Sequence, residues 1–286
     1  MSRPSGLLGI DIDGTLITDH GKITEPVHQA LVRAAESGWE IVPASGRTYF
    51  AAKPLIGNLP FVTHAVLSNG STIVDMRDES VSHMEKLSSG QVAEAVRITR
   101  ERGAIPALYS SDIHRQKIYY DTLENASDYF IRYVTEDPRV ERVGDVTDHI
   151  GDILQIGVIA PRETILDLGR ALAVIDATVM TLPFESPRYG GKIMDYWFIQ
   201  VVAKDARKII ALRKLALTLD IPAGRLVAVG DNYNDIDMLA NADVGVAMGN
   251  APDEVKARAA VVVASNNDHG IAEVVDTIIL SGAYFS

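Results

Sequence analysis

Asp11 and Asp13 stand two residues apart where the apolar run Leu7-Leu8-Gly9-Ile10 gives way to Gly14-Thr15. In a strand, side chains i and i+2 share a face, and Gly14-Thr15 signals a turn, so both acids should project where the strand stops. Carboxylates that close repel and raise one another's pKa unless a cation sits between them. The pair therefore reads either as a solvated acidic turn or as part of a divalent-metal site with one acid left over for chemistry.

Two further polar clusters follow directly on apolar runs: Ser45-Gly46-Arg47 after Ile41-Val42, and Gly230-Asp231-Asn232-Tyr233-Asn234-Asp235 after Leu226–Val229. Ligands of an open α/β sheet collect outside the carboxyl ends of its strands, so the three segments are expected to meet at one edge. Asp11, Asp13 and Asp231 offer only hard oxygen ligands, which suits Mg²⁺ with retained waters better than zinc. The seven histidines show no metal spacing. Asp231–Asp237 fails as a calcium loop, because Tyr233 takes the third position and Ile236 stands where glycine is required. Gly190-Gly191-Lys192 fails as a phosphate loop, because Ile193 replaces the hydroxyl residue and the earlier glycine is absent.

Ser45 and the Gly46 amide sit where a helix should begin and can donate to a phosphate at the positive end of its dipole; helix capping is the competing reading. Asp231, Asn234 and Asp235 can equally form an Asx turn that caps a helix. Lys204, taken to open the helix that runs to Leu219, can be a solvated charge, since the dipole does not favour a cation there.

The elements that must position these residues follow a regular texture. From Gly6 to Ile73 short apolar runs alternate with helical segments, one opened by Thr24 with Pro26 in its first turn, and the same texture returns from Lys204 to the end. Strands spaced by helices imply a parallel sheet with right-handed crossovers. The middle, about Ser82 to Ile199, differs. Strand candidates lie at Ile105–Tyr109, Ile118–Tyr120, Ile153–Ile159, Val179–Leu182 and Met194–Ile199, amphipathic helices near Gln91–Arg102 and Arg162–Ile175, and a loop is predicted over Pro183–Gly191. The expected fold is α/β: a doubly wound, parallel-sheet, Rossmann-like core built from residues 1–81 and 200–286, interrupted by an inserted α+β domain over 82–199.

Composition narrows the function. A chain of 286 residues, 47% hydrophobic, can bury a large core. A formal net charge of −11 disfavours nucleic acid and anionic membrane surfaces as partners. The absence of cysteine excludes disulfides, thiolate metal sites and a Cys nucleophile, and fits a reducing, cytoplasmic setting. No stretch approaches the ~18 apolar residues of a membrane span, and the N-terminal Met1–Gly6 holds no signal core, so export is not expected.

Taken in order, Asp11-Ile12-Asp13-Gly14-Thr15-Leu16, Ala44-Ser45-Gly46-Arg47, Lys204 and Gly230-Asp231-Asn232-Tyr233-Asn234-Asp235 resemble the four motifs of the haloacid dehalogenase superfamily. Val244–Ala251, Glu254-Val255-Lys256 and Asn267–Gly270 look like its Cof-type branch, which carries a large α/β cap where the insert stands. The resemblance implies a Mg²⁺-dependent phosphatase of a small phosphorylated metabolite. It implies Asp11 as the nucleophile that forms an aspartyl-phosphate, and Asp13 as general acid and then base, giving Mg²⁺ only a main-chain oxygen. Asp231 would complete the metal site, Ser45, Gly46, Lys204 and Asn234 would contact phosphate oxygens, and Asp235 would stand behind the ligands. Arg47 fits the pattern, either reaching phosphate or substrate or bracing core to cap. Two departures stand out: Asp205 follows the assigned lysine where the branch has glycine, and the acid common near Ala259-Ala260 is missing. Tyr109, His114, Arg115, Tyr120, Arg188 and Tyr189 are candidate recognition groups in the insert. Phosphotransfer between sugars, as in the related phosphomannomutases, is one alternative, and a receiver-like phosphoaspartate module is another, although a receiver leaves the ~115-residue insert unexplained.

Overall fold

A computed structural model describes residues 3–186 and 191–285, the side chains of 184–194 excepted. In chain order the elements begin β1 (Gly6–Ile10), α1 (Glu25–Glu36), β2 (Trp39–Pro43), α2 (Tyr49–Ile56), β3 (His64–Leu67), β4 (Thr72–Asp75) and β5 (Val81–Met84). There follow α3 (Ser89–Glu101), β6 (Ala107–Ser110), β7 (Ile118–Tyr120), α4 (Asp128–Glu136), β8 (Val140–Arg142), β9 (Ile153–Pro161), α5 (Arg162–Leu172), β10 (Ala177–Ser186) and β11 (Gly191–Ala203). The chain closes with α6 (Lys208–Thr218), β12 (Leu226–Gly230), α7 (Ile236–Asn241), β13 (Val244–Ala247), α8 (Asp253–Lys256), β14 (Val261–Val262) and α9 (Gly270–Val274). They form two compact units, Met1–Met84 with Ala206–Ser286, and Glu85–Asp205.

The first unit holds a parallel sheet in the order β14-β13-β12-β1-β2. Single bridges from Ile41 to Val62 and from Ala44 to Val66 carry its edge on to β3, from which β4 and β5 continue antiparallel. β1 is buried along its whole length, as a strand covered on both faces must be, and so reads as a continuous apolar run. Helix α6 lays Ile209, Leu212 and Leu215 against Leu7, Val42, Val66 and Leu226. From β1 the chain winds to β2 on one side, whereas β12 lies on the other. The space beyond the carboxyl ends of β1 and β12 is therefore a topological switch point, where such sheets bind ligands.

The second unit is a mixed sheet in the order β10-β11-β9-β6-β7-β8. On one face Val92 and Val96 of α3 and Ile165, Leu168 and Leu172 of α5 pack with Leu108, Ile156 and Val158; on the other, Phe130 and Val134 of α4 pack with Tyr109, Ile118 and Ile159. β9 is thus covered on both sides. The division between the units falls a few residues from the 81/82 and 199/200 boundaries read from sequence, because β5 is hydrogen-bonded to β4 and β11 stays paired with β10 as far as Ala203. The predicted loop over Pro183–Gly191 is likewise corrected: β10 runs through Ser186 and pairs it with Gly191. Arg188 and Tyr189 lie outside the described residues.

Tyr109 and Tyr120 are buried, while His114 and Arg115 are exposed. The Tyr109 and Tyr133 hydroxyls meet at 2.5 Å beside the Arg139–Asp137 pair. Burial pushes Tyr109 up to about 12 and Tyr133 well above the ordinary value. An acid whose pKa is raised by folding stabilises the fold fully below its unfolded pKa of about 10, and that contribution is lost as pH rises through the folded value. An absorbance titration of phenolate should therefore show a fraction of the ten tyrosines ionising late, near pH 12, and that fraction should shrink in Tyr109→Phe. Ionisation of all tyrosines together near pH 10 contradicts this. Among the described residues, no helix is long and apolar enough to cross a membrane.

Candidate active site

Asp11 leaves β1 with its amide donating to the Val229 carbonyl at 2.9 Å, which sets it beside the end of β12. The next residues coil tightly: Leu16 N donates to Asp11 O at 3.1 Å and Ile17 N to Ile12 O at 3.0 Å. Gly14 sits in this coil at φ +75, and a Cβ on it would collide with Asp231 Oδ2. Both the left-handed backbone and the close approach of β12's acid require glycine. Gly14→Ala is expected to cost about 2 kcal/mol of stability and, by displacing Asp231, to lower turnover at least ~10-fold. Chemical denaturation and rate measurements check both; an unchanged variant contradicts the geometry.

Asp231 follows β12. Its Oδ1 accepts from Thr15 Oγ1 at 2.7 Å and its Oδ2 from Asn250 Nδ2 at 3.3 Å. Asp235, fully buried, turns Oδ2 back to accept from the Asp231 and Asn232 amides at 3.1 and 3.0 Å, forming the capping box of the short turn that also carries half-buried Asn234. Its Oδ1 accepts from Lys208 Nζ at 2.7 Å, and the same ammonium donates to Asp11 Oδ1 at 2.5 Å. Lys208 is the first residue of α6 and is buried.

These groups form a strongly charged, water-poor cluster. Burial raises Asp11 well above the usual carboxylate range, with Asp235, Asp231 and Asp13 adding to the effect and Lys208 opposing it. Burial, then repulsion from Asp235, pushes Asp231 up to about 7, against the Thr15 hydrogen bond. Burial disfavours charge on Lys208, but Asp11 and Asp235 outweigh it and lift the ammonium above its ordinary value. Lys208 thus offsets the charge of Asp11, Asp231 and Asp235. Oxygens of Asp11, Asp231 and Asp235 lie within 4.8 Å of one another; Asp235 is held by Lys208 and the two amides, which leaves Asp11 and Asp231 as the hard-oxygen donors that fit a divalent cation such as Mg²⁺.

The Asp13 carboxylate stands apart from that set. Both its oxygens accept from Arg47, Nε to Oδ2 and Nη2 to Oδ1, each at 2.6 Å. Asp13 in turn holds the guanidinium above its ordinary pKa. Arg47 N donates to Ser45 Oγ at 3.1 Å, and Ser45 N donates to the Val66 carbonyl at 2.9 Å, so Ser45 is fixed at the end of β2. Helix α2 begins later, with Thr48 at its N-cap position, so Ser45 does not cap it. Gly46 lies beside Asn69, whose side chain a Cβ on Gly46 would crowd at 3.1 Å.

Of the residues expected to share a site, the structure brings Asp11, Asp231 and Asp235 together and joins Asp13 to Arg47, but it places Lys204 elsewhere. Lys204 does not open a helix. It lies in the turn that follows β11 in the second unit, where its exposed ammonium pairs with Asp176 at 2.6 Å. The lysine that meets Asp11 is Lys208. Its signal was legible: Lys208, Leu212 and Leu215 share one face at i, i+4 and i+7, and a lysine on an apolar helix face needs buried partners. Thr15 and Asn250 also lay outside the sequence assignment.

Residues 8–275 match the family model of the haloacid dehalogenase-like hydrolases. Among relatives, the chain is 26% identical over 282 residues to a putative phosphatase of Bacillus subtilis, covering 96% of this chain and 98% of that one. It is 26% identical over 281 residues to the pyridoxal phosphate phosphatase of Escherichia coli, covering 93% and 96%. A solved phosphatase from Bacteroides thetaiotaomicron superposes with a TM-score of 0.78 at 22% identity, covering 96% of each chain.

Proposed function

Because the chain belongs to the haloacid dehalogenase-like hydrolases, we propose that it hydrolyses a small phosphomonoester through a phosphoaspartyl enzyme formed on Asp11. The observation that carries this reading is the buried meeting of Asp11, Asp231 and Lys208 at the switch point, with Asp13 beside it on a separate partner. Named relatives act on phosphate esters as different as pyridoxal phosphate and 5-amino-6-(5-phospho-D-ribitylamino)uracil. That range supports a small phosphorylated metabolite as substrate and leaves its identity to the inserted unit, read as the cap.

In this reading an Asp11 oxygen attacks phosphorus, the ester P–O bond breaks, and Asp13 gives its proton to the leaving oxygen. Asp13, then a carboxylate, takes a proton from water. The water oxygen bonds to phosphorus, the Asp11 O–P bond breaks and inorganic phosphate leaves. Lys208 orients Asp11 and offsets charge on the phosphoryl oxygens, with Ser45, the Gly46 amide and Asn234 as further donors. Arg47's planar fork suits phosphate as well as carboxylate, so an arriving phosphate can draw it from Asp13, which then takes from solvent the proton it passes to the leaving oxygen. Mg²⁺, held by Asp11, Asp231 and the Asp13 main-chain oxygen, would supply charge neutralisation for phosphoryl transfer when bound. Transfer to sugar acceptors has no feature here in its favour.

The test is phosphate release from a panel of sugar phosphates, nucleotides, pyridoxal phosphate and an aryl phosphate, with and without Mg²⁺. Mg²⁺-dependent release from at least one small ester is expected. Folded protein inert towards every ester overturns the reading.

A further inference from the structure

We propose that Asn250 is a positioning residue for Asp231, a neutral strut that sets the plane of this carboxylate for the cation. The inference rests on the reading of Asp231 as a metal ligand. Asn250 follows β13 and is exposed, yet its amide is fixed from several sides. Nδ2 donates to the Gly14 carbonyl at 2.8 Å and to Asp231 Oδ2 at 3.3 Å, while Oδ1 accepts from Asn266 N at 3.1 Å. Asn266 is itself anchored, with Nδ2 donating to the Ile17 carbonyl at 3.0 Å and to Asp19 Oδ1 at 3.1 Å. The strut therefore reaches from β12's acid to the coil that carries Asp11 and Asp13, and to the segment that coil leads into.

Thr15 completes the arrangement by donating to the other Asp231 oxygen. Each oxygen then has one neutral donor and keeps a lone pair for a cation. A neutral amide orients the carboxylate without adding a charge that would compete with a divalent ion, as a lysine would. Hydrogen-bond partners of this kind behind a ligand commonly change metal affinity 10–100-fold when removed.

The experiment measures Mn²⁺ binding by electron paramagnetic resonance, with no substrate present, in the whole protein, Asn250→Ala and Asp231→Asn. Mn²⁺ is chosen because it accepts the same oxygen donors as Mg²⁺. Asn250→Ala should bind Mn²⁺ at least ~10-fold more weakly and need correspondingly more Mg²⁺ for half-maximal turnover, with kcat recovering at saturating Mg²⁺. A purely structural brace would lower the metal-free melting temperature and leave Mn²⁺ affinity alone, and that result overturns the proposal. Unmodified protein that fails to bind Mn²⁺, or Asp231→Asn binding it as well as the unmodified protein, overturns the metal reading and the strut with it.

Discussion

Asp11→Asn is expected to lower turnover of every phosphomonoester by at least ~10⁴-fold, the scale of loss seen when a covalent nucleophile is removed. The substitution is nearly isosteric, so the loss is chemical. A carboxamide oxygen carries no negative charge and cannot form the acyl phosphate through which phosphorus is passed. The fold should survive. Lys208 loses Asp11 but keeps Asp235 at 2.7 Å. Circular dichroism and melting should therefore show a folded protein beside the lost rate. Retention of turnover within about ten-fold would assign the nucleophile elsewhere.

The second large effect separates two lysines. Lys208→Met should leave Asp11 and Asp235 buried with their shared cation gone, and breaking a buried ion pair in this way costs about 3–5 kcal/mol. For a chain of this size the melting temperature should fall by roughly 10 °C. Loss of a preorganised positive group at the reacting phosphate should also lower kcat/KM by ~10²–10³. Lys204→Gln should change neither by much, because an exposed pair such as Lys204–Asp176 contributes ~1 kcal/mol at most. Equal and mild effects in the two variants would contradict the assignment of Lys208. A large loss in Lys204→Gln alone would restore the lysine read from sequence.

The contrast between these lysines shows what local pattern reveals and where it stops. Asp11, Ser45 and Asp231 were legible because each follows an apolar run, and in a parallel sheet the ends of such runs are brought to one edge. No helix opens at Lys204 because the pairing of β11 with β10 continues through Ala203 and the helix starts only at Lys208. Strand pairing overrode local helix propensity there, as it overrode the Pro/Gly loop signal at 183–186. Helix α4 has a readable start, Ser127 accepting from Phe130 N at 3.1 Å, but its nine residues are too few for a clear helical period. Asn250 could not have been found by spacing, since its contact with Gly14 joins positions 236 residues apart. Arg47's choice of Asp13 likewise depends on how two loops are placed, which no local pattern contains.

The most direct test of the account is to catch the phosphoryl group on the protein. An aryl phosphate, whose leaving group departs without an acid, should phosphorylate Asp13→Asn but leave water without its base. With a radiophosphorus-labelled aryl ester, acid-quenched Asp13→Asn should therefore carry label on the peptide that contains Asp11, and the Asp11→Asn, Asp13→Asn double variant should carry none. Label on another residue, or aryl ester turnover by Asp13→Asn with no protein-bound label at any time, would contradict it.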